Sequence, residues 1–464
     1  MSTDWAAADR WLMGEAWTGS RIGDHLNQLC EVIGPRWASS EGEWQAIDYI
    51  QGQFQMMELE PVTVEEYDVD TWKWDSAEAR LLAVDGHAAS APIDLLPFNR
   101  CQPCGLEGPV VDVGYGTPRE IDAVKDLLPR AIAVMFLAYE PFTTPIPHTR
   151  RLLQLAETGV AAVIAIDVKD GRRVEYHSAA DWRDREFTPL EIPVVTTSRE
   201  HGALLRRHAG SQLSLKVDSE FYAARSANVS AELAGAQWPE EHLLFGAHHD
   251  TVYGVAGGND NASGTIAVLE TARVLAALCR ETSVQPGRSI RFCTFSAEEQ
   301  RFQGSHAYVD EHYLSAAETP ARLTINLDEL STGHFKGLVL GFPHLRDLVQ
   351  GQLDTMKDGL KCHVMSQIDA SSDHFPFLKA GLDAAHLWRW RFRGRHADSD
   401  YHHEAADTSD KLNVRELKEY AGQLARLLLR LSHVPPDAWP HNPVTPEQVA
   451  TRLEAERGTV VRVF

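Results

Sequence analysis

Cysteine is scarce. The chain has six in 464 residues, too few for a dense disulfide framework, and the close pair Cys101 and Cys104 in CQPC has no second CxxC to complete a structural zinc site. The cysteines therefore read as mostly reduced thiols. Positive charge is short as well: 44 Lys and Arg stand against 66 Asp and Glu, a formal charge of -22. A nonspecific grip on a phosphate backbone or an anionic lipid surface is electrostatically opposed, so neither nucleic acid nor membrane is an expected partner. No run of about 18 apolar residues occurs anywhere. The N-terminal MSTDWAAADRWLMGEAW carries acids and Trp where a secretory leader has a basic start and a long apolar run, which makes a cytoplasmic location the expectation. With 44% hydrophobic and 24% charged residues, the composition excludes collagen-like, disulfide-scaffold and disordered chains. The length suggests roughly two or three domains.

What is present alternates in style along the chain. Ile22, Leu26, Leu29 and Ile33 fall at helical spacing before Gly34-Pro35, and Trp44, Ile47, Ile50 and Phe54 repeat the pattern after a turn. VTVEEYDVDTWKW and ARLLAV suit strands. From about 86 to 217 come short apolar strands, VVDVGYG, AIAVMFLA, AAVIAID and EIPVVTT, with an amphipathic helix in HTRRLLQLAETG. This stretch reads as a small α/β unit inserted into a larger one, dividing the chain into 1–85, 86–217 and 218–464. It has no cluster of His, Asp and Glu of its own, so a spacer or lid without chemistry is its plainer reading. After 218, HLLFGAHH, SIRFCTFS and RLTINLD alternate with helices, SGTIAVLETARVLAAL and ELKEYAGQLARLLLRL among them. The expectation is an α/β fold with a mostly parallel central sheet flanked by helices.

In such sheets ligands sit beyond the carboxyl ends of the strands. There the sequence places His248-His249-Asp250, then Asn259-Asp260-Asn261 at a helix start, then Glu298-Glu299, then Asp328. A folded core excludes such groups unless they are paired or bind a metal, and chance does not put four of them in series on one sheet edge. Imidazole with several carboxylates favours zinc over manganese or cobalt, and the absence of Cys argues against a closed structural site. The donors exceed what one tetrahedral ion needs. Two ions would use His248, Asp260, Glu299, Asp328 and one later histidine, with Asp260 as the bridge in its tight turn.

These residues resemble the co-catalytic di-zinc aminopeptidases, in particular the carboxypeptidase Q-like branch. GAHHDTV, GGNDNASG, SAEEQRFQGS, INLDE, SSDHFPFLKAG and YHHEAADT carry the likeness in order, with LNQLCEVIGPRWASSEGEWQAIDYI upstream. The resemblance covers nearly the whole chain apart from the C-terminal tail. It implies a zinc exopeptidase fold, and 86–217 looks like a protease-associated domain. Transferred position by position, it implies His248 and Asp328 on one zinc, Glu299 and a late histidine on the other, Asp260 across both, and Glu298 as catalytic base. The family spacing to Asp407-Thr408 selects His403 over the adjacent His402. Asp250 would orient the His248 imidazole through its other nitrogen. His249, between ligand and orienting acid, should point to the opposite side of the chain.

Two zinc ions sharing a water support amide hydrolysis, with Glu298 moving the proton. Departures from the family pattern bear on substrate: Gln300-Arg301-Phe302 after the Glu pair, Glu329 after Asp328, and HLWRWRFRGRH before the last histidine. In the last of these, Arg389, Arg391, Arg393 and Arg395 at period two would share one strand face. That face is either solvated or holds a substrate carboxylate. Arg301, His374, Arg389, Arg391 and Arg393 are the candidate substrate contacts. The leading expectation is a zinc exopeptidase of aminopeptidase or dipeptidase type acting on short peptides, with a homodimer admissible. The alternatives are a hydrolase of nonpeptide N-acyl or aryl amino acid amides and a noncatalytic receptor-like relative.

Overall fold

The structure, a computed structural model, describes residues 4–82, 92–180, 183–184, 190–316, 318–331, 334–356, 358–360, 362–390 and 401–456. Two compact units emerge, Met1–Val69 with Ala224–Leu453, and Asp70–Ala223. The chain passes from the first to the second along the strand Val62–Leu81 and returns along Gln212–Leu233. Where the alternation suggests two strands, Val62–Leu81 runs as one, because the intervening Asp75-Ser76-Ala77-Glu78 brings neither Gly nor Pro to break it.

The first unit holds the long elements. From Gln212–Leu233 its sheet continues in the order Arg288–Phe295, Trp238–His248, Thr324–Leu327, Ala384–Trp390, His334–Leu340, His363–Ser366. The four strands from Arg288–Phe295 to Ala384–Trp390 are mutually parallel, and antiparallel pairings occur where Gln212–Leu233 and His334–Leu340 join them. This is the mostly parallel sheet that the continuous apolar strands implied. Its register matters for chemistry: His248 pairs with Phe295, and Ala247 with Leu327, so three strands end level with one another.

Helices cover the sheet through apolar faces. Glu41–Met56 is capped by Ser40, whose hydroxyl accepts from the Glu43 N–H, and buries Ala46, Ile47, Ile50 and Phe54. Ser263–Glu281 is buried on nearly every side. The helix Gly258–Glu281 is long and apolar enough to cross a membrane, but 89% of its apolar window is buried within the protein, as a core helix would be. Val414–Ser432 packs Leu417, Leu424, Leu427, Leu428 and Leu431 into the same core.

The second unit is a small α/β structure. Cys104–Asp112, Ile132–Phe136, Ala162–Ile166 and Val194–Thr197 form a parallel set, with antiparallel neighbours on both flanks. The amphipathic helix forms as His148–Ala156 and contributes Leu152 and Leu155 to a core of its own with Val111, Leu128, Ala133 and Val163. All six cysteines are free thiols.

Candidate metal centre

Because the three parallel strands end level, the polar residues that follow them meet. His248 is the last residue of its strand, Glu298 and Glu299 come just after Arg288–Phe295, and Asp328 directly follows Thr324–Leu327. Asp260 arrives from the next connection, in the irregular first turn before Ser263–Glu281, with non-helical φ and ψ of -114° and 92°.

That turn is stitched to its surroundings by side chains. Asn261 donates to the Leu327 carbonyl at 2.9 Å and accepts from the N–H groups of Gly264 and Glu329 at 2.9 and 3.2 Å. The Asp407 carboxylate accepts from the N–H groups of Asn259 and Asp260 at 2.8 and 2.9 Å. Thr265 donates to the His248 carbonyl at 2.7 Å. Only glycine fits at position 257, where φ is +57° and a Cβ would lie 2.2 Å from Thr251 Cγ2.

Asp260 stands between two groups. Its Oδ1 lies 3.3 Å from His248 Nε2, which is 3.4 Å from Asp328 Oδ1. Its Oδ2 lies 3.3 Å from His403 Nε2, which is 3.2 Å from Glu299 Oε2. His402, stacked on His403 with ring centroids 3.6 Å apart, places its Nδ1 3.1 Å from Asp260 Oδ2 and 3.2 Å from Glu329 Oε1. Glu298 Oε2 is 3.9 Å from His248 Nε2. Within the first unit three sets of donor atoms, His248–Asp260–Glu299, His248–Glu298–Asp328 and Asp260–Glu329–His402, each lie within 4.8 Å of one another.

These donors fit a cation. His248 Nε2, Asp260 Oδ1 and Asp328 Oδ1 are buried and make no hydrogen bond, although they converge. Groups so placed are costly unless a ligand takes their lone pairs. The electrostatics agree. Burial, together with the charges of Glu299, Asp328 and Asp373, pushes the Glu298 carboxyl well above the usual carboxylate range. Burial opposes ionisation of Asp260, and the imidazoles of His248, His402 and His403 overcome it. Carboxylates crowded in this way are relieved by a divalent ion, and the oxygen and imidazole donors suit zinc-like chemistry.

Around the donors stand further polar groups. Asp250 Oδ1 is 3.3 Å from His248 Nδ1, and the Asp250 backbone carbonyl is 3.2 Å from the same nitrogen. The Asp250 carboxylate also accepts from the N–H groups of Glu298 and Glu299 at 3.1 and 3.2 Å, so one side chain ties two strand ends together. His249 points elsewhere, its Nδ1 3.1 Å from Thr294 Oγ1 and its Nε2 3.8 Å from Glu43 Oε1; burial, with Arg36 and His248 nearby, pushes it down to about 3.

The candidate substrate contacts are more dispersed. Arg301 is 4% exposed in a left-handed turn, with φ 72°. His374 is buried, its ring tilted against that of His386 with centroids 4.2 Å apart; burial and that neighbour hold it well below the usual imidazole range. The Arg389 backbone lies on Ala384–Trp390 opposite Phe335, while Arg391 and Arg393 lie outside the described residues.

Three supporting residues escaped the sequence reading of roles. Asp407, there only a spacing landmark, holds the Asp260 turn; burial pushes its carboxyl up to about 7. Glu43 is fully buried behind the centre, accepting from Ser226 Oγ at 2.8 Å, Ser39 N–H at 2.5 Å and Ser296 Oγ. Its position three and four residues before the buried Ala46 and Ile47 put it on the core face, a signal that helical periodicity carries. Arg36 is the third, fully buried and donating only to backbone carbonyls.

Residues 228–428 match the family model described as peptidase family M28. Aminopeptidase YwaD of Bacillus subtilis is 26% identical over 416 residues, covering 86% of this chain and 81% of that one. The solved M28 peptidase precursor of Shewanella amazonensis superposes with a TM-score of 0.76 over 95% of this chain and 99% of that chain, at 21% identity. BSAP, a zinc aminopeptidase from Bacillus subtilis, gives 0.69 over 88% and 94%, at 22% identity.

Proposed function

From the match of residues 228–428 to peptidase family M28, we infer that the chain is a member of that family and a zinc-dependent exopeptidase that hydrolyses amide bonds of short peptides, of aminopeptidase or dipeptidase type. The carrying observation is Asp260, whose two carboxylate oxygens face separate imidazoles, each with a further carboxylate beside it. In this reading His248 and Asp328 would hold one ion, Glu299 and His403 the other, and Asp260 would contribute to both. Bound zinc supplies Lewis acidity to the scissile carbonyl and makes a water acidic enough to react near neutral pH.

The chain's own residues do the rest. Glu298 takes the proton of the attacking water and returns it to the departing amine. Asp250 keeps the His248 ring turned toward the centre and, by taking the N–H groups of Glu298 and Glu299, sets the direction of both acids. The second unit is assigned here as a protease-associated-like domain, on the likeness seen in the sequence.

The test is a hydrolysis screen of free and N-blocked dipeptides beside N-acyl amino acids, with bound metal counted by elemental analysis. Cleavage confined to free-amine peptides, with about two zinc ions per chain, upholds the reading. Cleavage confined to blocked amides replaces it with the amidohydrolase reading, and inactivity with two metals bound replaces it with a noncatalytic relative.

A further inference from the structure

We propose that Arg36 is a positioning residue that fixes the separation between the His248 loop and the Asp260 turn, and through it the spacing of the two metal positions; this rests on the metal reading above. The guanidinium is fully buried and all its hydrogen bonds go to neutral backbone carbonyls. Nε donates to the His249 carbonyl at 2.8 Å. Nη1 donates to Ala256 at 2.7 Å and Nη2 to Gly257 at 3.1 Å, and Nη1 also reaches Gly34 at 2.8 Å and Leu29 at 3.0 Å. One planar group thus spans the residue after His248 and the two residues that open the Asp260 turn.

The backbone of Arg36 closes the same ring. Its N–H donates to Thr251 Oγ1 at 2.9 Å, that hydroxyl donates to the Val255 carbonyl at 2.9 Å, and the Thr251 N–H donates to the Arg36 carbonyl at 3.3 Å. The segment 249–257 is therefore gripped at both ends by one residue that lies outside the 228–428 family match. A buried guanidinium without a carboxylate partner is costly unless its charge has a use. Here Asp250, Asp260 and Asp407 lie within electrostatic reach, so Arg36 also offsets part of the negative charge that the donor cluster concentrates. Lysine cannot substitute, because a single ammonium does not present a planar fork to carbonyls on separate loops.

The experiment compares wild type, Arg36→Lys, Arg36→Gln and Thr251→Val. Arg288→Lys is the control: Arg288 is likewise fully buried and bonded to the Leu431, Ser432 and Val434 carbonyls of the same unit, though it also pairs with Glu241. Cobalt(II) is titrated into chelator-treated protein and followed by its visible absorption, and kcat, KM and Tm are measured on one peptide substrate.

The Arg36 variants should lose about 10- to 100-fold in cobalt affinity, the scale of a lost support for metal ligands. Their kcat should fall about a hundredfold with KM changed far less, the scale of an ångström-sized misplacement. Thr251→Val should show the same pattern in smaller degree, and Arg288→Lys should lower Tm with cobalt affinity and kcat kept. Unchanged kcat and cobalt affinity in the Arg36 variants overturns the proposal. So do losses that follow Tm equally in Arg36→Lys and Arg288→Lys. Should the Arg36 variants not fold, Thr251→Val decides alone, an unchanged variant overturning the idea. A wild type that neither binds cobalt nor hydrolyses peptide instead removes the metal reading itself.

Discussion

At the scale of single residues, the adjacent acids Glu298 and Glu299 separate by what they face. Glu299 Oε2 lies 3.2 Å from the His403 ring, while Glu298 approaches His248 Nε2 at 3.9 Å. Glu298→Gln is expected to keep its metal and fold and to lose about a hundredfold or more in kcat, the usual size of a lost general base. Glu299→Gln should instead lose metal, and an exchange of these two phenotypes in elemental analysis and steady-state kinetics would reverse the assignment. Asp260→Ala should empty both positions together if each of its oxygens serves one of them; retention of full metal content would remove the bridge.

Among the elements, the helix Glu41–Met56 and the strand Ala384–Trp390 carry testable consequences. Glu43, in the first turn of that helix, has its carboxyl pushed from the usual 4.5 up to about 8 by burial, with Asp250 adding to it. A raised folded-state value means the proton is held more tightly in the native protein. Its stabilising effect is complete below the unfolded value near 4.5 and is lost as pH rises through about 8. Relative to Glu43→Gln, chelator-treated wild type should therefore lose Tm between about pH 5 and pH 8, and parallel curves would show that Glu43 is ionised in the fold. On the strand, Arg389→Ala should raise KM for peptides with a free carboxyl terminus by the equivalent of about 2 kcal/mol, the scale of a charge-assisted hydrogen bond. C-terminally amidated peptides should change much less; equal effects on both would make this a solvated strand face.

For the whole molecule, the two units own separate cores, one around Phe245, Phe292 and Leu269, the other around Val163, Leu152 and Ala133. Every residue assigned to metal lies in the first. Removing metal leaves Asp260, Glu298, Glu299 and Asp328 crowded in a buried space, which favours unfolding of that unit, whereas a ligand bound only to the native state stabilises it. Chelation should lower the calorimetric transition of the first unit and leave that of the second in place. Equal shifts in both, or none, would contradict the location or the presence of the ions.

Much of this was legible from residue order alone. Apolar runs separated by amphipathic helices announce a parallel sheet, because strands covered on both faces need apolar side chains in both directions. The groups at the ends of HLLFGAHH, SIRFCTFS and RLTINLD announce a shared cation, because such groups are costly in a core without one. These are local patterns of chemistry and spacing. What the sequence does not carry is the contact between distant segments: that Arg36 meets the carbonyls of His249 and Gly257, 213 and 221 residues away, or that Asp407 receives the N–H of Asp260, 147 residues before it. The choice of partner there is made by strand register and turn geometry. Backbone carbonyls and N–H groups are identical at every position, so no residue type marks which of them a buried side chain will find.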